Sequence, residues 1–344
     1  MSKSELGQFY TTNYEYILKN MEIPEGVESI VEPFVGNGDL LNFIGDMKNY
    51  NIEKYDIDPK CSDTIKRDTL ENPPDYTDKF ILTNPPYLAR NKSKNKAIYD
   101  KYKCNDLYKC FIISIINTVC SGGIIIIPVN FISSIRVSDI ALRKKFLEKY
   151  SIRILNIFEE QVFDDTSYAV CSIYFTKKIN LDSFNVYIYP SEKKFNVCLN
   201  EENNYSIGGE IYNIPINSSF IVERATKGNK KNITNILLKC IDDNIDNQLG
   251  FKLVSDDDRF VDETPNLTER SYASLVINKK ISIQNQARLV SKMNDFLREK
   301  RQKYNSLFLT NYRESNSIAR KRISFKLAFR ICNYILSSEF DSFQ

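Results

Sequence analysis

Residues 27–40 read VESIVEPFVGNGDL, and this stretch predicts a strand, a glycine turn and a helix in succession. The apolar first half suits a short buried strand, which ends at Glu32 and Pro33. Gly36 and Gly38 form a tight turn that lets backbone approach a ligand, and a helical pattern of apolar residues follows. This is the first unit of a nucleotide-binding α/β sheet. The third glycine of the dinucleotide fingerprint is missing, so an ordinary turn is the alternative.

Acidic residues follow the next two predicted strands. The strand predicted over 52–57 carries Asp56 near its end, where this fold hydrogen-bonds a ribose diol. The alternative for Asp56 is a turn-forming aspartate ahead of Pro59. Asp68 would end a third short strand and meet the adenine amino group of a bound nucleoside. Its alternative is an ordinary loop or N-cap acid.

The sequence Asn84-Pro85-Pro86-Tyr87 follows the apolar run 80–83. Proline has no N–H, so the chain leaves the sheet there with free carbonyls. Asn84 offers a side-chain oxygen, Pro85 a backbone carbonyl and Tyr87 an aromatic face. Two acceptors beside a ring form a receptor for the amino group of a planar heterocycle, such as the N6 of adenine. The alternative is a proline-terminated edge strand with a packed tyrosine.

Taken in chain order, these motifs resemble those of γ-class DNA adenine-N6 methyltransferases of the type II restriction–modification type. The resemblance covers roughly residues 6–178, about half of the chain. The Lys-, Asn- and Ile-rich composition is also similar to that of virus-encoded members. The motifs that carry the resemblance lie at residues 7–12, 32–38, 56–59, 84–87, 106–111, 122–131 and 162–175.

The resemblance implies S-adenosyl-L-methionine as the cofactor. The family often has Thr-Pro in its N-terminal motif, and Thr12 stands in place of that proline. The register of Thr11 and Thr12 is therefore open. The residues implied in cofactor binding are Thr11, Thr12, Glu32, Phe34, Gly36, Gly38, Asp56, Asp68 and Pro86.

The resemblance further implies a flipped adenine held by Asn84, Pro85 and Tyr87, with Phe163 packed on its other side. The alternatives are that Phe163 belongs to the core or that the nearby Phe158 takes this role. If Asn84 Oδ1 and the Pro85 carbonyl each accept an N6 hydrogen, the amino group is drawn toward tetrahedral geometry. Its lone pair then points at the methyl group, so the catalysis is positional and electrostatic.

The composition excludes several other classes of catalytic and metal site. The chain has no histidine, which excludes His-based acid–base catalysis, Ser–His and Cys–His pairs and His-containing zinc sites. Its eight cysteines form no C-x-x-C pair and are predicted to be free thiols. No metal is expected, because the acidic runs 242–244 and 256–258 suit solvated turns. Without a signal peptide or long apolar span, we expect an intracellular, soluble protein with no membrane partner, in the host cytoplasm or nucleus if viral.

The second half of the chain changes in pattern. Alternating residues over 182–216 predict short strands, and the segment 285–330 holds twelve basic against three acidic residues. Two amphipathic helices fit the C-terminal part. Their apolar stripes are Leu289, Met293, Phe296 and Leu297 in the first, and Ile323, Leu327, Ile331, Tyr334 and Ile335 in the second.

A basic face beside the second stripe predicts phosphate contacts, because Arg322, Lys326 and Arg330 recur every four residues. The alternative is a solvated helix face. A second lysine cluster follows the Asn-Pro-Pro-Tyr motif, and its loop is expected to close over a DNA strand or to order on binding. The predicted DNA-binding residues are Lys92, Lys94, Arg320, Lys321, Arg322, Lys326 and Arg330.

These observations predict a doubly wound, Rossmann-like α/β methyltransferase domain over 1–180 that binds S-adenosylmethionine. A smaller mixed α+β target-recognition domain is predicted over 181–344. The predicted function is adenine-N6 methylation of a short specific sequence in duplex DNA, with a restriction endonuclease as a functional counterpart. The alternatives are an RNA or protein-glutamine methyltransferase using the same motif, or an inactive DNA-binding homologue.

Overall fold

A computed structural model describes residues 7, 9–163, 168–242, 246–263, 271–315 and 318–340, without the side chains of 310–320 and 339–340. The chain forms two compact units. The first is built chiefly from residues up to Cys198, and the second chiefly from Leu199 onward. Among the residues described, every helix is too short or too polar to cross a lipid bilayer.

A mixed sheet of nine strands forms the centre of the first unit. Its strands are β1 (Ser29–Glu32), β2 (Asn51–Asp56), β3 (Ile65–Lys66), β4 (Phe80–Thr83), β5 (Gly122–Pro128), β6 (Tyr150–Phe158), β7 (Val170–Lys177), β8 (Phe184–Tyr189) and β9 (Lys193–Val197). The described helices of this unit are α1 (Tyr14–Ile17), α2 (Ala97–Tyr102), α3 (Leu107–Thr118), α4 (Asn130–Ser133) and α5 (Val137–Lys149).

The strand order is β3-β2-β1-β4-β5-β7-β6-β8-β9, which confirms the predicted doubly wound α/β fold. Strands β1 to β5 pair in parallel, while β7 runs antiparallel between β5 and β6. The chain moves outward from β1 to β3 and returns on the other side of β1 with β4. Ligands of open α/β sheets bind where the order reverses in this way. The carboxyl ends of β1 and β4, at Glu32 and Asn84, therefore border one crevice.

The sheet continues past residue 180, since β8 pairs with β6 and β9 extends the sheet to Val197. The roles predicted for residues 1–180 and 181–344 stay predictions.

The helix expected after the glycine turn is a 3₁₀ helix, Asp39–Ile44, which Gly45 ends at a φ of 70°. The apolar pattern predicted which positions of this helix are buried, but it could not distinguish an α-helix from a 3₁₀ helix. Both types return to the same face within three or four residues.

Four antiparallel strands and two long helices form most of the second unit. The strands are β10 (Val222–Arg224), β11 (Ile233–Lys239), β12 (Gly250–Leu253) and β13 (Tyr272–Ile277), in the order β10-β13-β11-β12. The helices are α6 (Ile283–Tyr304) and α7 (Phe325–Phe340). Strands β14 (Thr310–Ser315) and β15 (Ile318–Arg322) form a separate two-stranded sheet, and short 3₁₀ helices lie at Met47–Asn49 and Gly209–Asn213.

The two predicted apolar stripes pack into one core. In α6 the residues Leu289, Met293 and Leu297 are buried, and in α7 the residues Leu327 and Ile331 join the same cluster. The predicted start of the second helix is wrong. Strand β15 ends at Arg322, and helix α7 begins at Phe325, so Lys321 and Arg322 do not share a helical face with Lys326. Backbone pairing with residues 240–242 fixes this strand instead.

Close packing between β4 and β5 holds the middle of the first sheet. Both strands are buried along their whole length, as expected of parallel strands covered on both faces. A Cβ atom at Gly123 would lie 2.5 Å from the carbonyl oxygen of Ile81 in the neighbouring strand. Only glycine fits this approach without moving backbone.

Gly123→Ala is therefore expected to lower the free energy of unfolding by about 2–3 kcal/mol. Urea unfolding followed by circular dichroism measures the change. Gly228→Ala is the matched control, because a Cβ atom there meets nothing within 4 Å. Equal midpoints for the two variants would show that the β4–β5 contact is not the constraint described here.

Candidate active site

A cavity of about 260 Å³ lies at the carboxyl ends of β1, β2 and β4. Of the two threonines left open by the sequence, Thr11 lines the cavity and is buried, whereas Thr12 is exposed. Gly38 does not line it but takes a φ of 84° within the turn. The predicted cofactor residues that the structure brings together here are Thr11, Glu32, Phe34, Gly36, Asp56, Asp68 and Pro86.

One wall of this cavity was not predicted. The segment after the Asn-Pro-Pro-Tyr motif folds over it, where Tyr99 Oη donates to the carbonyl of Leu88 at 2.9 Å. Lys101 Nζ and Tyr102 Oη both donate to the carbonyl of Leu70, at 3.2 and 2.8 Å. Unpredicted lining residues from this side are Leu88, Ser93, Asn95, Ile98, Tyr99 and Leu107. A six-residue helix within a lysine-rich run is too short to give a periodic signal.

Asp56 holds the glycine turn in place. Its Oδ2 accepts the N–H of Gly36 and its Oδ1 accepts the N–H of Asp58, both at 2.8 Å. Gly36 has a φ of 55°, and a Cβ atom there would lie 3.0 Å from the ring of Tyr10. The ribose contact of Asp56 stays a prediction. Each carboxylate oxygen still has a lone pair available for it.

Asp68 acts as a local cap, which was its alternative interpretation. Its Oδ1 accepts the N–H groups of Leu70 and Glu71, both at 3.0 Å. The residue also lines the cavity, so the cap does not remove it from the site. Contact with an adenine amino group stays a prediction for this carboxylate.

Glu32 is the most deeply buried acid of the cavity, at 1% exposure. Its Oε1 accepts the N–H of Phe34 at 3.1 Å and the hydroxyl of Thr83 at 2.5 Å. Burial raises the pKa of Glu32 to about 8, against the lowering effect of these two hydrogen bonds. The nearby charge of Asp56 raises the pKa of Glu32 further. The folded chain therefore favours the neutral form of this carboxyl group at neutral pH.

Asn84 has a fixed orientation. Its Nδ2 donates to the carbonyl of Phe9 at 2.9 Å and to Thr11 Oγ1 at 3.1 Å, which uses both amide hydrogens. Its Oδ1 lies within hydrogen-bond reach of the Tyr87 hydroxyl. That hydroxyl also reaches the carbonyl of Ile126 at 2.7 Å. Because one hydroxyl has one hydrogen, Asn84 Oδ1 and the Ile126 carbonyl compete for it.

Tyr87 and Phe163 are both nearly enclosed, at 3% and 5% exposure. The ring of Phe9 stacks on Tyr87 with centroids 5.2 Å apart and lies 6.1 Å from the ring of Phe163. Tyr108 meets the Tyr87 ring edge-on at 6.3 Å. Pro85 is buried as well. Phe158, the alternative to Phe163, instead stacks on Tyr189 at 5.6 Å.

The predicted DNA-binding residues differ in their surroundings. Lys92, Lys94 and Lys326 are exposed, whereas Lys321 and Arg322 are half-buried. The guanidinium of Arg330 donates through Nε to the carbonyl of Ile214 at 2.9 Å and through Nη1 to that of Tyr212. The side chain of Arg320 lies outside the described residues. DNA contact stays a prediction for all seven.

Glu32→Gln is expected to stabilise the free protein at neutral and higher pH. The unfolded chain ionises this group near its ordinary pKa of 4.5 and the folded chain only near 8. The unfolded state therefore releases the proton first, and the free energy of unfolding falls as pH rises between these values. Removing the ionisable group should add at least about 1 kcal/mol at pH 8 and almost nothing at pH 4.5.

Thermal unfolding across this pH range measures the effect. Glu28→Gln, at an exposed position just before β1, is the matched control. A pH-independent difference between Glu32→Gln and the natural chain would contradict the raised pKa.

Tyr87→Phe should keep the ring packing and lose the competition for the hydroxyl hydrogen. We expect a stability loss of about 1 kcal/mol from the unpaired Ile126 carbonyl. If the chain transfers a methyl group, as its sequence motifs predict, the rate should stay within about threefold of the natural one, since a 1.4 kcal/mol change alters a rate tenfold. Tyr87→Ala, measured in parallel, should lose far more because the ring is removed. Equal losses in the two variants would assign the essential role to the hydroxyl.

Part of the chain is similar to known proteins. Residues 44–163 match the model of the Eco57I restriction-modification methylase family. Over 240 residues the chain is 29% identical to the type II methyltransferases M.HincII and M.HindII of Haemophilus influenzae. The match covers 63% of this chain but only 45% and 44% of those proteins. The chain thus spans less than half the length of these relatives.

A solved structure gives a weaker likeness. The methyltransferase subunit of a type I restriction-modification system from Streptococcus thermophilus shares 16% identity at a TM-score of 0.39, covering 53% of this chain and 47% of that one. The γ class and the adenine-N6 assignment stay predictions. The resemblance to restriction–modification methyltransferases is confirmed for residues 44–163, which match the Eco57I restriction-modification methylase domain.

Proposed function

We propose that this chain is an S-adenosylmethionine-dependent DNA methyltransferase that methylates adenine N6 within a short specific sequence of duplex DNA. One observation carries the proposal. The carboxamide of Asn84 is locked by Phe9 and Thr11 at the border of the cavity, with its oxygen turned toward Tyr87. Because both amide hydrogens of Asn84 are already used, its Oδ1 atom faces Tyr87 as a hydrogen-bond acceptor beside the cavity. Such an acceptor suits the binding of an amino group. The match to a restriction-modification methylase family supports the same reaction class.

The cavity fits a cationic cofactor. Among the described residues, its acidic lining side chains are Glu32, Asp39, Asp56 and Asp68, and its one basic lining side chain is Arg67. The Oδ2 atom of Asp39 is buried and has no hydrogen-bond partner among the described residues. S-adenosylmethionine carries an ammonium and a sulfonium group, which would supply the missing positive charge. When bound, it supplies a methyl group on a good leaving group.

The protein itself positions the nucleophile. Asn84 Oδ1 and the Pro85 carbonyl would each accept one hydrogen of the adenine amino group. To release Oδ1, the Tyr87 hydroxyl turns its hydrogen to the Ile126 carbonyl, which lies 2.7 Å away. The two acceptors would then orient the nitrogen lone pair for attack on the cofactor's methyl group, so orientation and fixed dipoles would supply the catalysis.

The target base must leave the duplex to reach Asn84, because the amino group of a stacked base cannot enter a buried site. Unstacking costs a few kcal/mol. Stacking on an aromatic ring such as Tyr87 returns about 1–3 kcal/mol. We further propose duplex DNA as the partner and protection from a restriction endonuclease as the biological role. The exposed lysines Lys92, Lys94 and Lys326 are the residues of the predicted set most open to phosphate contact.

Transfer of a labelled methyl group from S-adenosylmethionine to unmethylated plasmid DNA, followed by base-resolution mapping, tests the function. We expect N6-methyladenine at one short sequence. Label appearing only in RNA or in protein glutamine would overturn the DNA assignment. Bound cofactor without transfer to any of these substrates would indicate an inactive homologue.

Asn84→Ala should reduce methyl transfer by at least about 100-fold, in the range seen when one preorganised transition-state partner is removed. Cofactor affinity, measured by calorimetry, should change no more than a few-fold. Asn49→Ala, at an exposed position, is the matched control and should transfer at the natural rate. A normal rate in Asn84→Ala would remove its acceptor role.

A further inference from the structure

We propose that the side chain of Phe9 occupies the slot of the target base in the free protein and leaves it when the base enters. This inference rests on the proposed function, because a base slot exists only if a flipped base is the substrate. It concerns a residue for which the sequence motifs suggested no role. Phe9 is a positioning residue here, since it does not touch the reacting atoms.

Ring geometry supports this assignment. Phe9 is stacked on Tyr87 at 5.2 Å with an interplanar angle of 27°. It lies 6.1 Å from Phe163 at 34°. Tyr87 and Phe163 are the two rings predicted to hold the target adenine, one on each face. Phe9 therefore stacks on Tyr87 and is tilted against Phe163, so it lies within aromatic contact distance of both rings that would hold the base.

The backbone of this segment is tied to the loop that carries Asn84. The carbonyl of Gly7 accepts the N–H of Tyr87 at 2.9 Å, and the carbonyl of Phe9 accepts Asn84 Nδ2 at 2.9 Å. A Cβ atom at Gly7, whose φ is 67°, would lie 2.8 Å from the carbonyl oxygen of Tyr87. The segment is therefore closely fitted to the loop. Rotation of the Phe9 side chain between staggered rotamers can empty the slot without breaking these bonds.

A placeholder has a physical reason at this position. Without a ring against them, the apolar faces of Tyr87 and Phe163 would meet water in the free protein. Phe9 stacks on Tyr87 and lies beside Phe163, while its own side chain is only half-buried. It also lines the cofactor cavity. The side chain thus lies where the cofactor cavity and the base slot meet.

The placeholder has a predictable effect on affinity. If the base can enter only after Phe9 has left, the apparent affinity for DNA equals the intrinsic affinity multiplied by the fraction of protein in which the slot is empty. Phe9→Ala should then lower KM for target DNA roughly three- to tenfold, the range of one aromatic ring contact. The value of kcat should stay within about twofold. Phe9→Leu fills the slot less well than phenylalanine, so its KM for target DNA should lie between those of Phe9→Ala and the natural chain.

If Phe9 is instead a fixed wall of the slot, the change in KM for DNA should have the opposite sign. If Phe9 stayed in place and contacted the base, its removal would raise KM for DNA. A raised KM in Phe9→Ala, with Phe9→Leu again between it and the natural chain, would overturn the placeholder. The split between KM and kcat separates both cases from a general loss of structure, which would lower the amount of active protein and leave KM unchanged.

A spectroscopic test follows from the composition, because the chain has no tryptophan. Phe9→Trp therefore creates a single reporter. We expect acrylamide to quench its emission weakly in the free protein and about threefold more strongly when duplex DNA with the mapped target sequence and S-adenosylhomocysteine are added together. Unchanged quenching on DNA binding would overturn the proposal.

The matched control is Tyr50→Trp, which lies just ahead of β2 at the amino end of the sheet, away from the carboxyl-end crevice. Its quenching should not respond to DNA. Failure of the two hypotheses can be told apart. Methyl transfer by the natural chain with an unresponsive Phe9→Trp removes only the placeholder, whereas absence of transfer to DNA removes the proposed function and the base slot with it.

Discussion

The buried hydrogen bond from Thr83 to Glu32 joins the two strands on which the site depends. Glu32 ends β1 ahead of the glycine turn, and Thr83 ends β4 directly before Asn84. The bond therefore links the glycine turn at the cavity to the loop that begins at Asn84. Burial raises the pKa of the Glu32 carboxyl group, so the free site keeps this negative charge only at alkaline pH.

Two segments outside the sheet complete the site, and they do so by binding backbone groups. The N-terminal segment is held through the carbonyls of Gly7 and Phe9. The segment after the Asn-Pro-Pro-Tyr motif is held through Tyr102, which donates to the carbonyl of Leu70. A site closed by such local contacts can open by local motion, since few bonds must break.

Basic residues in this chain have more than one use. Lys109, on α3, is buried and pairs with Asp139 at 2.6 Å. Arg143 is also buried and donates to the carbonyl of Phe131 at 2.7 Å. Arg330 similarly binds carbonyl groups within the second unit. A count of basic residues therefore overstates the positive charge available to a phosphate backbone, and the exposed lysines are the better guide to an electrostatic surface.

The sequence by itself determined the doubly wound sheet, the glycine turn and the position of Asn84, because strand ends and turns are local features with strong residue preferences. It also found the two apolar stripes of the second unit, although it placed Arg322 on a helix that begins three residues later. Only the tertiary structure decided that Phe9 stacks on Tyr87 and that the lysine-rich segment covers the cavity. These contacts join residues far apart in the chain through ring packing and backbone carbonyls, and neither leaves a periodic pattern in the sequence.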